Sequence, residues 1–116
     1  MSVNTEVRDV LVAARERIAD EKNWTQYTAA KDSKGDWCDP HTAAAVCWCA
    51  TGAVMAAIPV AADYYGLYTQ ATAALKYELI MHLYPTQFLV EFNDHPERTH
   101  AEVLALFDRT IRRFER

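Results

Sequence analysis

The chain has 116 residues, the size of one domain, and its 51% apolar and 24% charged residues can build one core without staples. A net charge of −4 leaves out the overall basic footprint of a nucleic-acid binder and is too small for a disordered acidic tail. With only three glycines and four prolines, long helices are favoured over many short strands.

The opening MSVNTEVRDV is polar and charged and reads as carrying no secretory signal. A first helix is expected from about Thr5 to Asp20. Val7, Val10, Leu11, Ala14 and Ile18 recur there at helical spacing, and Arg8, Arg15, Glu16 and Arg17 lie off the stripe. Asn4 or Thr5 can cap its start. Residues 21–39, EKNWTQYTAAKDSKGDWCD, lack clear periodicity. SKG is a turn signal, so a short hairpin near 27–37 is an option. Trp24, Tyr27 and Trp37 are large for a loop, which suggests that it packs down over the core. Such loops are also where function sits.

Asp39 is a good N-cap and Pro40 fits a first helical position, so a second helix is expected from there to about Ile58, just before Pro59. It is apolar nearly all round, hence central and buried, and its alanines with Gly52 allow close approach. Pro40 to Ala62 carries no Asp, Glu, Lys or Arg and could span a bilayer by length alone, which takes about 20 apolar residues. His41, Thr42, Thr51, Gly52 and Pro59 interrupt it, and Asp39 and Asp63 flank it without an adjacent Lys or Arg. A buried helix is therefore the reading, not a membrane span.

A third helix is expected from about Leu67 to Tyr84, with Ala71, Ala74, Leu75, Leu79 and His82 or Leu83 on one face, ended by Pro85. Thr86 to Phe92 fits a helical turn slightly better than an extended piece. THAE, Thr99 to Glu102, is a capping box that opens the last helix, with Val103, Leu104, Phe107, Ile111 and Phe114 as its stripe. The expectation is an all-α, compact bundle of four main helices in one domain, 1–116, with a buried central helix and an aromatic loop.

Chemistry concentrates in VCWCATGAV, Val46 to Val54. The three cysteines, Cys38, Cys47 and Cys49, are odd in number and clustered, which fits reduced thiols in a cytoplasm better than a secreted disulfide framework. Cys38, His41, Cys47 and Cys49 could ligate zinc, but C-x2-H followed by C-x-C lacks the paired C-x2-C rhythm. On a regular helix Cys47 and Cys49 point about 200° apart, and His41 and Cys49 stand about 12 Å apart along the axis. The four converge only if the second helix begins after Cys49. No metal site and no cofactor is assigned. A cysteine nucleophile, Cys49 or Cys38, would need a base such as His41, His82, His95, His100 or Asp94. The competing reading makes Cys47 and Cys49 small buried apolar residues, with Trp48 packing toward the loop aromatics.

FNDHPERTH, Phe92 to His100, is the second dense polar stretch. Asn93, Asp94, His95, Glu97, His100 and Glu102 offer acid–base and metal-type groups, although Asn–Asp before a proline is also turn chemistry and Thr99 with Glu102 a helix cap. The order of a tryptophan near 24, then VCWCATGA, then ND-x-P-x-R-T-x-x-E-V and an amphipathic helix resembles a family of small bacterial and phage-encoded proteins classed as a domain of unknown function. The matching positions are Trp24, Trp48, Cys49, Gly52, Ala53, Asn93, Asp94, Thr99, Glu102 and Val103. The resemblance brings no activity. It implies that Cys49 and Asn93–Asp94 belong together, through either a fold-locking hydrogen bond or a small polar pocket.

Arg109, Arg112, Arg113 and Arg116 fall on one stripe of the last helix, which complements the helix dipole or meets phosphates or an acidic partner. Tyr64, Tyr65 and Tyr68 around Gly66 are interface anchors or the rim of the core. The expected function is a small binding or regulatory module acting through protein contacts, with Trp24, Trp37, Trp48, Tyr64, Tyr65 and Tyr68 as contact residues and a homodimer as one form. A phage setting would fit an inhibitor of a host protein. The alternative is a small cysteine-dependent enzyme using Cys49 or Cys38, with Asn93 and Asp94 in its site.

Overall fold

The computed structural model describes residues 3–115. In chain order its elements are α1 (Val3–Arg17), a single 3-10 turn (Glu21–Asn23), β1 (Ala30–Lys31), β2 (Cys47–Trp48), α2 (Ala50–Ala57), α3 (Tyr64–Met81), α4 (Leu89–Asp94) and α5 (His100–Arg113). The bundle is all-α apart from the two-residue antiparallel pair β1–β2, in register Ala30 to Trp48 and Lys31 to Cys47. One apolar cluster draws on every helix.

The stripe of α1 packs as its spacing requires: Val7, Val10, Leu11, Ala14 and Ile18 are all buried. In α5 Val103 and Phe107 are buried, and Leu104, Ile111 and Phe114 pack against the core more shallowly. The capping box is fully formed: Thr99 Oγ1 accepts from Glu102 N, and Glu102 Oε1 accepts from Thr99 N at 2.9 Å. The third helix begins at Tyr64, a turn before Leu67, where Asp63 caps it by accepting from Gly66 N at 3.1 Å. At its other end α3 stops because Leu83 turns left-handed (φ 56), which leaves Leu83 89% exposed rather than on the buried face. Glu78 takes a core place instead. Its carboxylate, 3% exposed, meets Arg113 of α5 and, at 3.3 Å, His82.

The largest departure concerns the second helix, which begins at Ala50 and not at Pro40. Asp39 does cap a turn, accepting from His41 N at 2.8 Å, but the turn does not propagate. The amides of Val46 and Cys49 donate to Lys31 O and Ala29 O across the strand pair, not along a helix. Pairing with β1 buries Trp48, whose indole N–H donates to Pro40 O at 3.1 Å. Alanine's helical preference is worth only tenths of a kcal/mol per residue, and burying a tryptophan outweighs it. What remains of the helix is buried as expected: Ala50 to Val54 are all inside. Among the described residues no helix is long and apolar enough to cross a membrane.

The loop 21–39 is only half as the aromatics suggest. Trp24 packs on the core, while Tyr27 and Trp37 stand 68% and 70% exposed. A short hairpin does form at its end: Gly35 N donates to Asp32 O in the turn, Asp32 N donates to Asp36 O, and an antiparallel bridge joins Lys31 to Trp37.

Candidate functional site

Asn93, next to last in α4, has no exposed surface and joins three segments. Its side-chain oxygen accepts from Trp24 Nε1 at 2.8 Å and from Ala50 N at 3.0 Å. Both partners can only donate, which fixes the amide's orientation. Its nitrogen donates to Thr25 O at 3.1 Å and to Asp94 Oδ1 at 2.9 Å. The amide therefore caps the first turn of α2 from outside, a place where an orphan N–H needs an acceptor. Gln26 adds a bond from its side-chain nitrogen to Asn93 O at 2.9 Å. Asp94 Oδ1 also accepts from Tyr27 N at 2.9 Å, and Tyr27 sits at φ 71, a left-handed conformation uncommon for a bulky residue.

Cys49 is the N-cap of α2. Its sulfur accepts from Gly52 N at 3.3 Å and its own amide donates to Ala29 O. A Cβ on Gly52 would stand 2.0 Å from Ala29 O, so the spacing C-A-T-G reflects a helix start pressed against loop backbone. Burial pushes the Cys49 thiol above its usual range. The Gly52 amide pulls the other way, and the nearby Asp94 carboxylate adds to the rise. Burial likewise raises the Tyr68 phenol.

Cys49 and Asp94 meet at a hollow of about 320 Å3, together with Tyr27, Thr51, Met55, Tyr68 and Val90. A second hollow of about 290 Å3 adjoins it, sharing Thr51, Tyr68 and Val90 and reaching Thr72, Lys76 and Phe88. Tyr68, Thr72 and Lys76 stand at i, i+4 and i+8 on α3, so the joined groove follows that helix. The sequence left a fold-locking bond and a polar pocket open; Asn93 makes the bond, while Cys49 and Asp94 border a hollow whose lining is mostly apolar.

The other expected site residues are dispersed. Trp24 is held by Asn93, and its ring lies 5.9 Å from that of His100. Trp48 is a core residue beneath the Arg17 guanidinium, 5.3 Å away. Trp37 is exposed and lines neither hollow. Tyr64 stacks on Tyr68 at 6.1 Å and meets His41 at 5.4 Å, both tyrosines at the rim of the core, whereas Tyr65 is 84% exposed. All three lie in the first turns of α3.

The histidines stand apart from the Cys49 hollow. His41 bonds Asp39, His95 accepts from Glu97 N, His100 bonds Ile18 O, His82 lies beside Glu78, and none of them lines the Cys49 hollow. Cys38 and Cys47 are half-buried, on β1's two opposite neighbours. Although the second helix does begin after Cys49, no group of three or more His, Cys, Asp or Glu among the described residues could hold a metal. The arginine stripe is partly spent: Arg113 binds Glu78 and stacks over Tyr77, Arg112 is exposed, and Arg116 lies outside the described residues.

Tyr27, Thr51, Met55, Phe88 and Val90 were not singled out for this site from the sequence. Val90 and Asp94, at i and i+4, would have placed an apolar residue beside the acid had the short helix α4 been read as continuing through Asn93.

The model of the family described as "Family of unknown function (DUF6197)" matches residues 2–113, and the chain belongs to that family. No curated protein and no solved structure matches the chain.

Proposed function

We propose that the protein is a small binding module that takes an apolar segment of a partner protein in the groove over Cys49. The observation that carries this reading is the groove's rim. Tyr27, Phe88 and Val90, at 68%, 62% and 53% exposed, edge two joined hollows whose walls include Cys49 and Asp94. Exposed apolar side chains gathered around a concave surface are what contact sites present. The left-handed backbone at Tyr27, held by Asp94, supports the same reading, since strain is kept where a side chain must be aimed. In its finer form the proposal is a phage- or mobile-element-encoded inhibitor of a host protein, working in a cytoplasm. Three unpaired cysteines accord with a reducing compartment.

A second reading, thiol chemistry at Cys49, draws on Cys49 sharing its hollow with Asp94 and Tyr68. A raised thiol without a neighbouring imidazole makes it the weaker one.

The test is affinity capture with the wild type, Val90→Arg and Tyr65→Ala. A protein held by the wild type and Tyr65→Ala but lost by Val90→Arg supports the groove. Capture that Val90→Arg leaves intact overturns it, and fast alkylation of Cys49 at neutral pH would favour the thiol reading instead.

A further inference from the structure

A third hollow, with no lining residue in common with the Cys49 groove, lies between α1, the end of α2 and the start of α3. It encloses about 420 Å3, within the range of small-molecule sites. Ala13, Ala57, Ala62 and Leu67 line it, and the three alanines are why space is left where the helices meet. Two carboxylates, Glu6 and Asp9, stand at i and i+3 of α1 on the same hollow, and no Lys or Arg lines it. Asp9 has Arg8 at 3.6 Å, but Arg8 turns its other nitrogen to Glu115 at 2.8 Å. Glu6 enters no ion pair among the described residues.

We propose that this hollow binds a small organic cation, an ammonium with an apolar body. An apolar body alone would fill the alanine-lined space but would take water from two carboxylates without replacing it, at a cost in free energy. A ligand carboxylate would add repulsion. A cationic head offsets both, and an aliphatic or aromatic body covers Ala57, Ala62 and Leu67. This site shares no lining residue with the groove proposed for a partner, so the two proposals stand or fall separately.

The experiment is a titration of the full chain with hexylammonium, 1-hexanol and hexanoate, read by amide chemical shifts in low salt. Expected are saturable shifts at Ala13, Ala57 and Ala62, with hexylammonium about fivefold tighter than hexanol, the scale of two weak ion pairs, and hexanoate weakest. The double variant Glu6→Gln, Asp9→Asn should bring hexylammonium to the level of hexanol. Both positions are on the surface, so the variant should fold, and an unchanged amide spectrum elsewhere checks that it does. Ala57→Phe should fill the hollow and abolish all three shifts. Equal binding of the three probes, shifts confined to other residues, or no saturable response to hexylammonium would overturn the proposal.

Discussion

Asn93 uses every hydrogen-bonding position of its amide on three separate segments, so its removal is costly. In Asn93→Ala the Trp24 indole N–H and the Ala50 amide lose their acceptor inside the protein. Each stranded donor costs about 1–3 kcal/mol, and the loss should come to roughly 3 kcal/mol in urea unfolding. A change below half a kcal/mol would mean that water replaces the side chain and that Asn93 is not the lock. Gly52→Ala should cost a similar amount, about 3 kcal/mol, because the atom a Cβ meets is a backbone oxygen that cannot swing aside. For Cys49 the direction of the thiol shift sets the pH behaviour. The folded thiol keeps its proton to a higher pH than the unfolded one, whose usual value is about 8.5. Its contribution is thus intact below that pH and is lost as pH rises through the folded value. Wild-type stability should fall on that alkaline limb more steeply than that of Cys49→Ala. At neutral pH Cys49 should alkylate more slowly than the half-buried Cys38 and Cys47.

At the scale of the element, α5 stands on its cap and α2 on its surroundings. Thr99→Ala removes the acceptor for Glu102 N and should lower stability by about 1 kcal/mol. The Glu102 carboxylate is held below its usual value, first by the Thr99 amide. Its contribution is therefore present above the unfolded value of about 4.3 and is lost as pH falls through the folded one. Thermal unfolding of wild type and Glu102→Gln should differ at pH 7 and converge toward pH 3. The helix α2 has eight residues, too few to hold itself in water. It persists because Asn93 and Cys49 supply acceptors at its start and Ala50 to Val54 are buried. The sheet is smaller still, two residues a strand, and serves to seat Trp48. The start of α5 follows a local capping rule and was legible from it, and the stripe of α1 was legible from its period, although α1 spans Val3–Arg17 with Asn4 and Thr5 inside it and not as caps.

For the whole molecule, one core shared by all five helices implies that the parts do not unfold separately. Far-ultraviolet circular dichroism and the fluorescence of Trp24, Trp37 and Trp48 should give coincident urea transitions. An earlier fluorescence transition would show that the loop and its lock open before the bundle. The shape also decides what the surface offers. Tyr27, Phe88 and Val90 come from two distant parts of the chain, and only the bundle brings them to one rim.

Local spacing was enough for the class of the fold, the core-facing stripes of α1 and α5, the capping box at Thr99, and the burial of the alanine-rich helix. Each of these follows from spacing within one element, where neighbours in sequence are neighbours in space. The pairing of Cys49 with Asn93–Asp94 was legible only through resemblance, since 44 positions separate Cys49 from Asn93 and no local rule spans them. Tertiary structure alone decided where α2 begins, because Asp39–Pro40 is a sound local start that lost to a strand pair formed with residues in the preceding loop. It also decided that Asn93 is a lock and that Cys49 borders a groove without a histidine. Those outcomes depend on which distant backbone groups lack partners once the helices pack, a property that exists only after the chain has folded.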